Sequence, residues 1–154
     1  MNDLNYIKDE TAYLFKYNFD DDSIPEDVAE SYEDRAQELI KNYPWATVFD
    51  CWFDYLKNNC PTDKDVINWA NLFWWYGGAD QPLPIENPYE FLGYLHYRVD
   101  VTKHVLDAQT IFDSIALAFL EPLGKVSLLS NPSYASESDP DIVSAAQKWR
   151  AMEK

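Results

Sequence analysis

At 154 residues with a formal net charge of −15, the chain is long enough for its own hydrophobic core and too acidic to present a nucleic-acid or anionic-membrane surface. Hydrophobic residues make up 47% of it, and six Trp, eight Phe and eleven Tyr supply much burial per residue, which excludes global disorder. The start, Met1-Asn2-Asp3-Leu4-Asn5, lacks the basic and apolar regions of a secretory signal, and the most apolar stretches, Trp69 to Tyr76 and Ile111 to Leu120, fall short of the ~20 residues a membrane span needs. Cys51 and Cys60 are too few for a disulfide framework, so a reduced, cytoplasmic setting is expected.

Residues 3–19 read two ways. Leu4, Ile7 and Leu14 with Tyr6, Tyr13 and Tyr17 fit a helix face, whereas Tyr13, Phe15, Tyr17 and Phe19 alternate as in a strand; helix is the favoured reading. Ser23 and Glu26 then form a capping-box pattern with Pro25 in the first turn, opening a helix over 25–42 that turns Val28, Tyr32, Ala36, Leu39 and Ile40 inward. Pro44 opens the next helix, to about Asn58, with Trp45, Val48, Phe49, Trp52, Phe53 and Leu56 on its apolar face. Thr62 with Asp65 marks a third start and Gly77-Gly78 a third stop. Its buried arc is predicted to hold Val66, Ile67, Trp69, Ala70, Phe73 and Trp74. Trp75 falls on the polar side with Lys64, Asn68 and Asn71.

Beyond Pro82 and Pro84, Asn87-Pro88-Tyr89-Glu90 is the sharpest helix start in the chain. The helical pattern runs on to Leu120, which unbroken would span about 50 Å, so a break near Asp100-Val101-Thr102 is expected. Residues 124–138 read as a connector containing Gly124 and Pro132. Ser138-Asp139-Pro140-Asp141 starts a last helix with the stripe Ile142, Ala145, Ala146, Trp149 and Met152. The fold class is all-α: an irregular, single-domain bundle of about six helices over 1–154, with room for a short strand near 12–19 and another near 126–129. Within it lie an acidic N-terminal segment (1–42), a helical core (44–121), the connector (124–138) and a C-terminal helix (139–152).

Motifs for nucleotide binding, nucleophilic catalysis and zinc are missing: there is no G-x-G-x-x-G, G-x-S-x-G, H-E-x-x-H or C-x-x-C, and no cofactor is implied. Asp20-Asp21-Asp22 starts like a calcium loop, but Ile24 and Pro25 stand where ligands and the turn glycine belong. His96, Asp100, His104 and Asp107 would share an arc of about 80° on one continuous helix, a set that could serve a metal-dependent enzyme or form a polar stripe of i,i+4 pairs. Trp75 is either covered by the 82–85 loop or presented to a partner.

Charge is the most uneven property. Residues 1–38 hold twelve carboxylates and three basic residues, so −9 of the −15 lies in a quarter of the chain. Asp20, Asp21 and Asp22 precede the first clear helix, and Glu26, Asp27, Glu30, Glu33, Asp34 and Glu38 ride opposite its apolar stripe. In composition the chain is similar to nucleic-acid mimics and to immunity proteins that neutralise toxins, with no motif in common. The expectation is an acidic protein-binding module, an inhibitor or nucleic-acid mimic occupying the basic surface of a nucleic-acid enzyme or toxin through Asp20, Asp21, Asp22, Glu26, Glu30, Glu33, Asp34 and Trp75. The alternatives are an accessory domain whose charge serves solubility, and the metal-dependent enzyme.

Overall fold

A computed structural model describes residues 3–18, 23–77, 88–99, 110–120 and 140–152. Among them are seven helices and no strand: α1 (Asp3–Leu14), α2 (Glu26–Asn42), α3 (Trp45–Asn59), α4 (Asp63–Trp75), α5 (Pro88–Arg98), α6 (Thr110–Leu120) and α7 (Pro140–Met152). The all-α reading holds. The chain falls into two compact units, Met1–Pro84 and Ile85–Lys154. Residues 126–129, where a strand had room, lie outside the described residues.

Helix starts follow proline and capping chemistry. The Ser23–Glu26 capping box does not form: Pro25 is itself the cap of α2, and no side chain caps the helix. A residue before proline is disfavoured in the helical region, so Ile24 cannot be helical and the start moves onto Pro25. With φ −59° and ψ 147°, Pro25 accepts at its carbonyl from the Val28 and Ala29 amides at 3.1 and 3.0 Å. Pro44 repeats the device for α3, leaving only extended Tyr43 and Pro44 between the two helices. The Thr62 box does form: Asp65 N donates to Thr62 Oγ1 at 3.2 Å, and Thr62 N donates to Asp65 Oδ2 at 3.3 Å. Gly77, at φ 86°, ends α4 in the left-handed conformation that only glycine adopts cheaply.

The first segment bears out the helix reading over Asp3–Leu14 and departs from it beyond Leu14. It is neither helical to residue 19 nor, over its described part, a strand: α1 stops at Leu14. Phe15 and Tyr17 are both buried, yet residues two apart on a helix point about 200° away from each other. Leaving the helix lets both rings face inward. Phe15 packs against Trp52 and Trp69 at 5.2 and 5.4 Å, while Tyr17 meets Tyr32 and Trp75 at 4.8 and 5.3 Å. Two long-range bonds pin the turn: Tyr76 Oη donates to the Leu14 carbonyl at 2.7 Å, and Asn68 Nδ2 to the Tyr17 carbonyl at 2.9 Å.

Around that turn, the core of the first unit is built from rings. Trp52, Trp69, Phe49, Phe73 and Tyr76 are fully buried, and Trp69 Nε1 donates to the Trp52 carbonyl at 3.2 Å. Val28, expected inward, is instead 39% exposed, because Ala36 and Leu39 carry the contact of α2. On α4 the buried arc is centred on Leu72, Trp69 and Phe73, which turns Trp74 out to 43% exposure.

Unit Ile85–Lys154 is built differently. The break expected near residue 100 falls at Arg98, where α5 ends. Gly93 of α5 lies against α7 so closely that an added Cβ would sit 2.8 Å from both the Ala145 carbonyl carbon and the Ala146 amide nitrogen. Ile142 and Ala146 are buried, whereas Met152, placed in the stripe by sequence, is 63% exposed at the end of the helix. Trp149 closes the pair, its Nε1 donating to the Glu90 carbonyl at 2.8 Å and its ring standing edge-on to Tyr94 at 4.9 Å.

Candidate functional site

The acidic face of α2 is the feature that sequence reasoning placed highest, and its geometry is regular. Glu26, Asp27, Glu30, Asp34 and Glu38 are exposed and Glu33 is half-buried. At 100° per residue the six carboxylates cover an arc of about 140°, and Ala36 and Leu39 lie on the other side. Asp20, Asp21 and Asp22 lie outside the described residues. Glu26 and Asp27 stand in the first turn, where the helix dipole favours negative charge, and Lys41 stands in the last.

A seam with α1 fixes this face in place. Arg35 donates from Nε to Glu10 Oε2 at 3.0 Å and from its terminal nitrogen to Glu10 Oε1, a two-pronged pair that joins the helices. Glu10 is almost fully buried, and the hydrogen bond to it holds the Arg35 guanidinium charged beyond its ordinary range. The same guanidinium lies 3.8 Å from the centre of the Tyr13 ring. Tyr13 stacks on Tyr32 at 4.8 Å and 4°, and further along the seam Tyr6 meets Tyr43 at 5.9 Å. A hydrogen bond to Tyr13, then burial, pushes the Tyr32 hydroxyl up. Tyr6 is raised chiefly by the Glu10 carboxylate, with burial next.

From sequence Tyr6, Tyr13 and Tyr32 read only as helix-face residues, and none of the seam residues was expected in a site. The signal was present: Tyr6, Glu10 and Tyr13 follow i, i+4, i+7 spacing on α1, and Arg35 stands among the six acids of α2.

Trp75 does not stand apart as a free contact. It is half-buried, with Tyr17 at 5.3 Å and Tyr76 at 5.2 Å. Tyr17 supplies cover that the sequence had assigned to the 82–85 loop, which lies outside the described residues.

Of the possible metal stripe, only His96 is described, half-buried near the end of α5. Asp100, His104 and Asp107 lie outside the described residues, and the single continuous helix that would align the four ends at Arg98. Among the described residues no three His, Cys, Asp or Glu side chains are grouped to hold a metal ion. Two grooves are present among them as well. One, of about 520 Å³, lies between α5 and α7 with Glu90, Asp141 and Lys148 beside Trp149; the other, of about 330 Å³, lies between α1 and α3 beside Lys8 and Asp54. Neither lining contains a histidine, and the one cysteine involved, Cys51, is pushed up by burial, which keeps it a thiol. No described helix is long and apolar enough to cross a membrane. Compared with protein-family models, with curated proteins and with solved structures, the chain matches none, so its function has to be read from its own residues.

Proposed function

We propose that the chain is a protein-binding module whose acidic α2 face engages a basic protein surface, in the manner of an inhibitor that occupies the phosphate-binding groove of a nucleic-acid enzyme or toxin. The observation that carries the reading is the concentration of carboxylates on one side of α2, exposed Glu26, Asp27, Glu30, Asp34 and Glu38 with half-buried Glu33, an arc in which Gln37 and Lys41 also fall. Such a row serves folding little, since exposed ion pairs contribute ~0 to 1 kcal/mol and crowded like charges oppose a helix. It serves association well, because a one-signed surface steers an oppositely charged partner and speeds encounter. Asp20, Asp21 and Asp22 extend the same charge in sequence. Trp75 belongs to the reading as a support of the seam beside α2, reached through Tyr17 and Tyr32.

The test is affinity capture from the native host across a salt series, comparing the wild type with a variant carrying Glu26→Gln, Glu30→Gln, Glu33→Gln and Asp34→Asn. The variant should melt within about 0.5 kcal/mol of wild type. Its captured partner should associate more slowly, as raised salt also makes it do. A folded variant that binds the same partner at the wild-type rate in low salt would leave the carboxylates as a solvated face only.

A further inference from the structure

The α1–α2 seam contains one arginine already seated on a ring and a carboxylate, and beside it a second ring-and-carboxylate arrangement with no cation on it. In the first, Arg35 lies 3.8 Å over Tyr13 and pairs with Glu10. Glu10 sits between two tyrosines of α1, Tyr13 three residues on and Tyr6 four residues back. On the far side, Tyr6 is 49% exposed, leans on Tyr43 at 5.9 Å with the rings splayed by 39°, and lies within reach of the charge of exposed Glu38. Among the described residues the cations over rings are Arg35 on Tyr13, Lys57 on Phe53 and Arg98 on Tyr94, so none rests on Tyr6 or Tyr43. Arg35 itself is committed.

We propose that Tyr6, Tyr43 and Glu38 receive an arginine side chain of the basic partner, as Tyr13 and Glu10 receive Arg35. The proposal rests on the basic-partner reading of α2 and deepens it by naming the anchoring side chain. Arginine fits better than lysine on chemical grounds. A guanidinium is flat, weakly hydrated and able to lie on a ring while forking two N–H groups toward a carboxylate; an ammonium is a compact, strongly hydrated point charge. The Glu10 carboxylate first, and then burial, disfavour ionisation of Tyr6, so it is a neutral phenol whose oxygen can also accept from the guanidinium. Carboxylate steering brings the partner in, and the ring then discriminates between its two kinds of basic side chain.

The experiment uses the full chain and two synthetic probes of equal length, an arginine-rich peptide and its all-lysine counterpart, titrated at low salt. The wild type should bind the arginine peptide more tightly. Tyr6→Leu should weaken the arginine peptide roughly three- to fivefold and leave the lysine peptide within about twofold. Tyr6→Phe, which keeps the ring face, should retain most of the arginine preference and controls for any loss of packing. Equal binding of the two peptides by the wild type, an equal loss of both in Tyr6→Leu, or no binding of either overturns the proposal. The four-residue α2 variant separates the two readings: it should weaken both peptides alike. If it weakens neither while Tyr6→Leu still removes the arginine preference, the acidic-face reading fails and the tyrosine site stands.

Discussion

The two units reach a buried core by opposite means. In Met1–Pro84 the helices are held apart by large rings that fill the space between them, with Trp52, Trp69, Phe73 and Tyr76 meeting edge-on or stacked at 5.0–6.2 Å. In Ile85–Lys154, α5 and α7 meet backbone to backbone, with a glycine and two alanines at the crossing. A ring core is sensitive to deletion, because every removed ring leaves a void. A small-residue crossing is sensitive to addition, because there is no space into which a methyl group can go.

The largest test of that contrast is Trp52→Ala. Trp52 is fully buried and touches Phe15, Trp45, Phe73 and Tyr76, so its loss should cost about 3–5 kcal/mol in urea unfolding. A cost under about 1 kcal/mol would mean that the rings do not hold the unit together.

Next in size is Gly93→Ala. In an ordinary helix interior this change stabilises by roughly 1 kcal/mol. Here it should destabilise by about 1–3 kcal/mol, since the new Cβ meets Ala145 and the Ala146 amide. Adding Ala145→Gly should recover part of the loss, and a stabilising Gly93→Ala would break the comparison outright.

Smallest is Tyr76→Phe, which removes the hydroxyl bonded to the Leu14 carbonyl and should cost about 1–2 kcal/mol at neutral pH. It should also change the alkaline limb. Burial, first among the causes, raises the Tyr76 hydroxyl well above its ordinary value of 10.0. The folded chain therefore keeps that proton when the unfolded chain has lost it. Stability from this group is complete below about pH 10 and is lost as pH rises from there toward the folded value. Melting from pH 9 to 11 should show a shallower decline in Tyr76→Phe than in wild type; identical slopes would show that Tyr76 is not the group responsible.

How much of this was legible in the sequence depended on whether one element or two decided the outcome. Pro44, Thr62 with Asp65, and Gly77 act within a few residues of chain, and the helices they bound were readable to within a residue or two. Local rules also misled where two competed: at Ser23–Glu26 the restriction before Pro25 overrode the capping pattern. The end of α1 was hidden because it depends on partners far along the chain, Asn68 and Tyr76, which reward Phe15 and Tyr17 for leaving the helix. The same holds for the site. The acidic row of α2 follows from spacing alone, whereas the Arg35–Glu10–Tyr13 seam needs α1 and α2 side by side. Gly93 carried a signal that was passed over, a glycine in the interior of a helical pattern, where packing against a neighbour is the usual reason.

The placement of the two thiols gives the ring-packed unit a chemical clock. Cys51 and Cys60 are both buried within residues 1–84, and residues 85–154 contain no cysteine. They stand nine residues apart along α3 and its cap, about 13.5 Å by helical rise, beyond the ~7 Å that a disulfide bridges, so a bond between them cannot block their labelling. Cys51 borders the α1–α3 groove, whereas Cys60 is buried outside both groove linings, so the rate at which a thiol reagent labels Cys60 across a denaturant series reports the opening free energy of that unit. Trp52→Ala should quicken the clock strongly. The effect of Gly93→Ala on the same rate then measures how far an added methyl group in one unit is felt in the opening of the other.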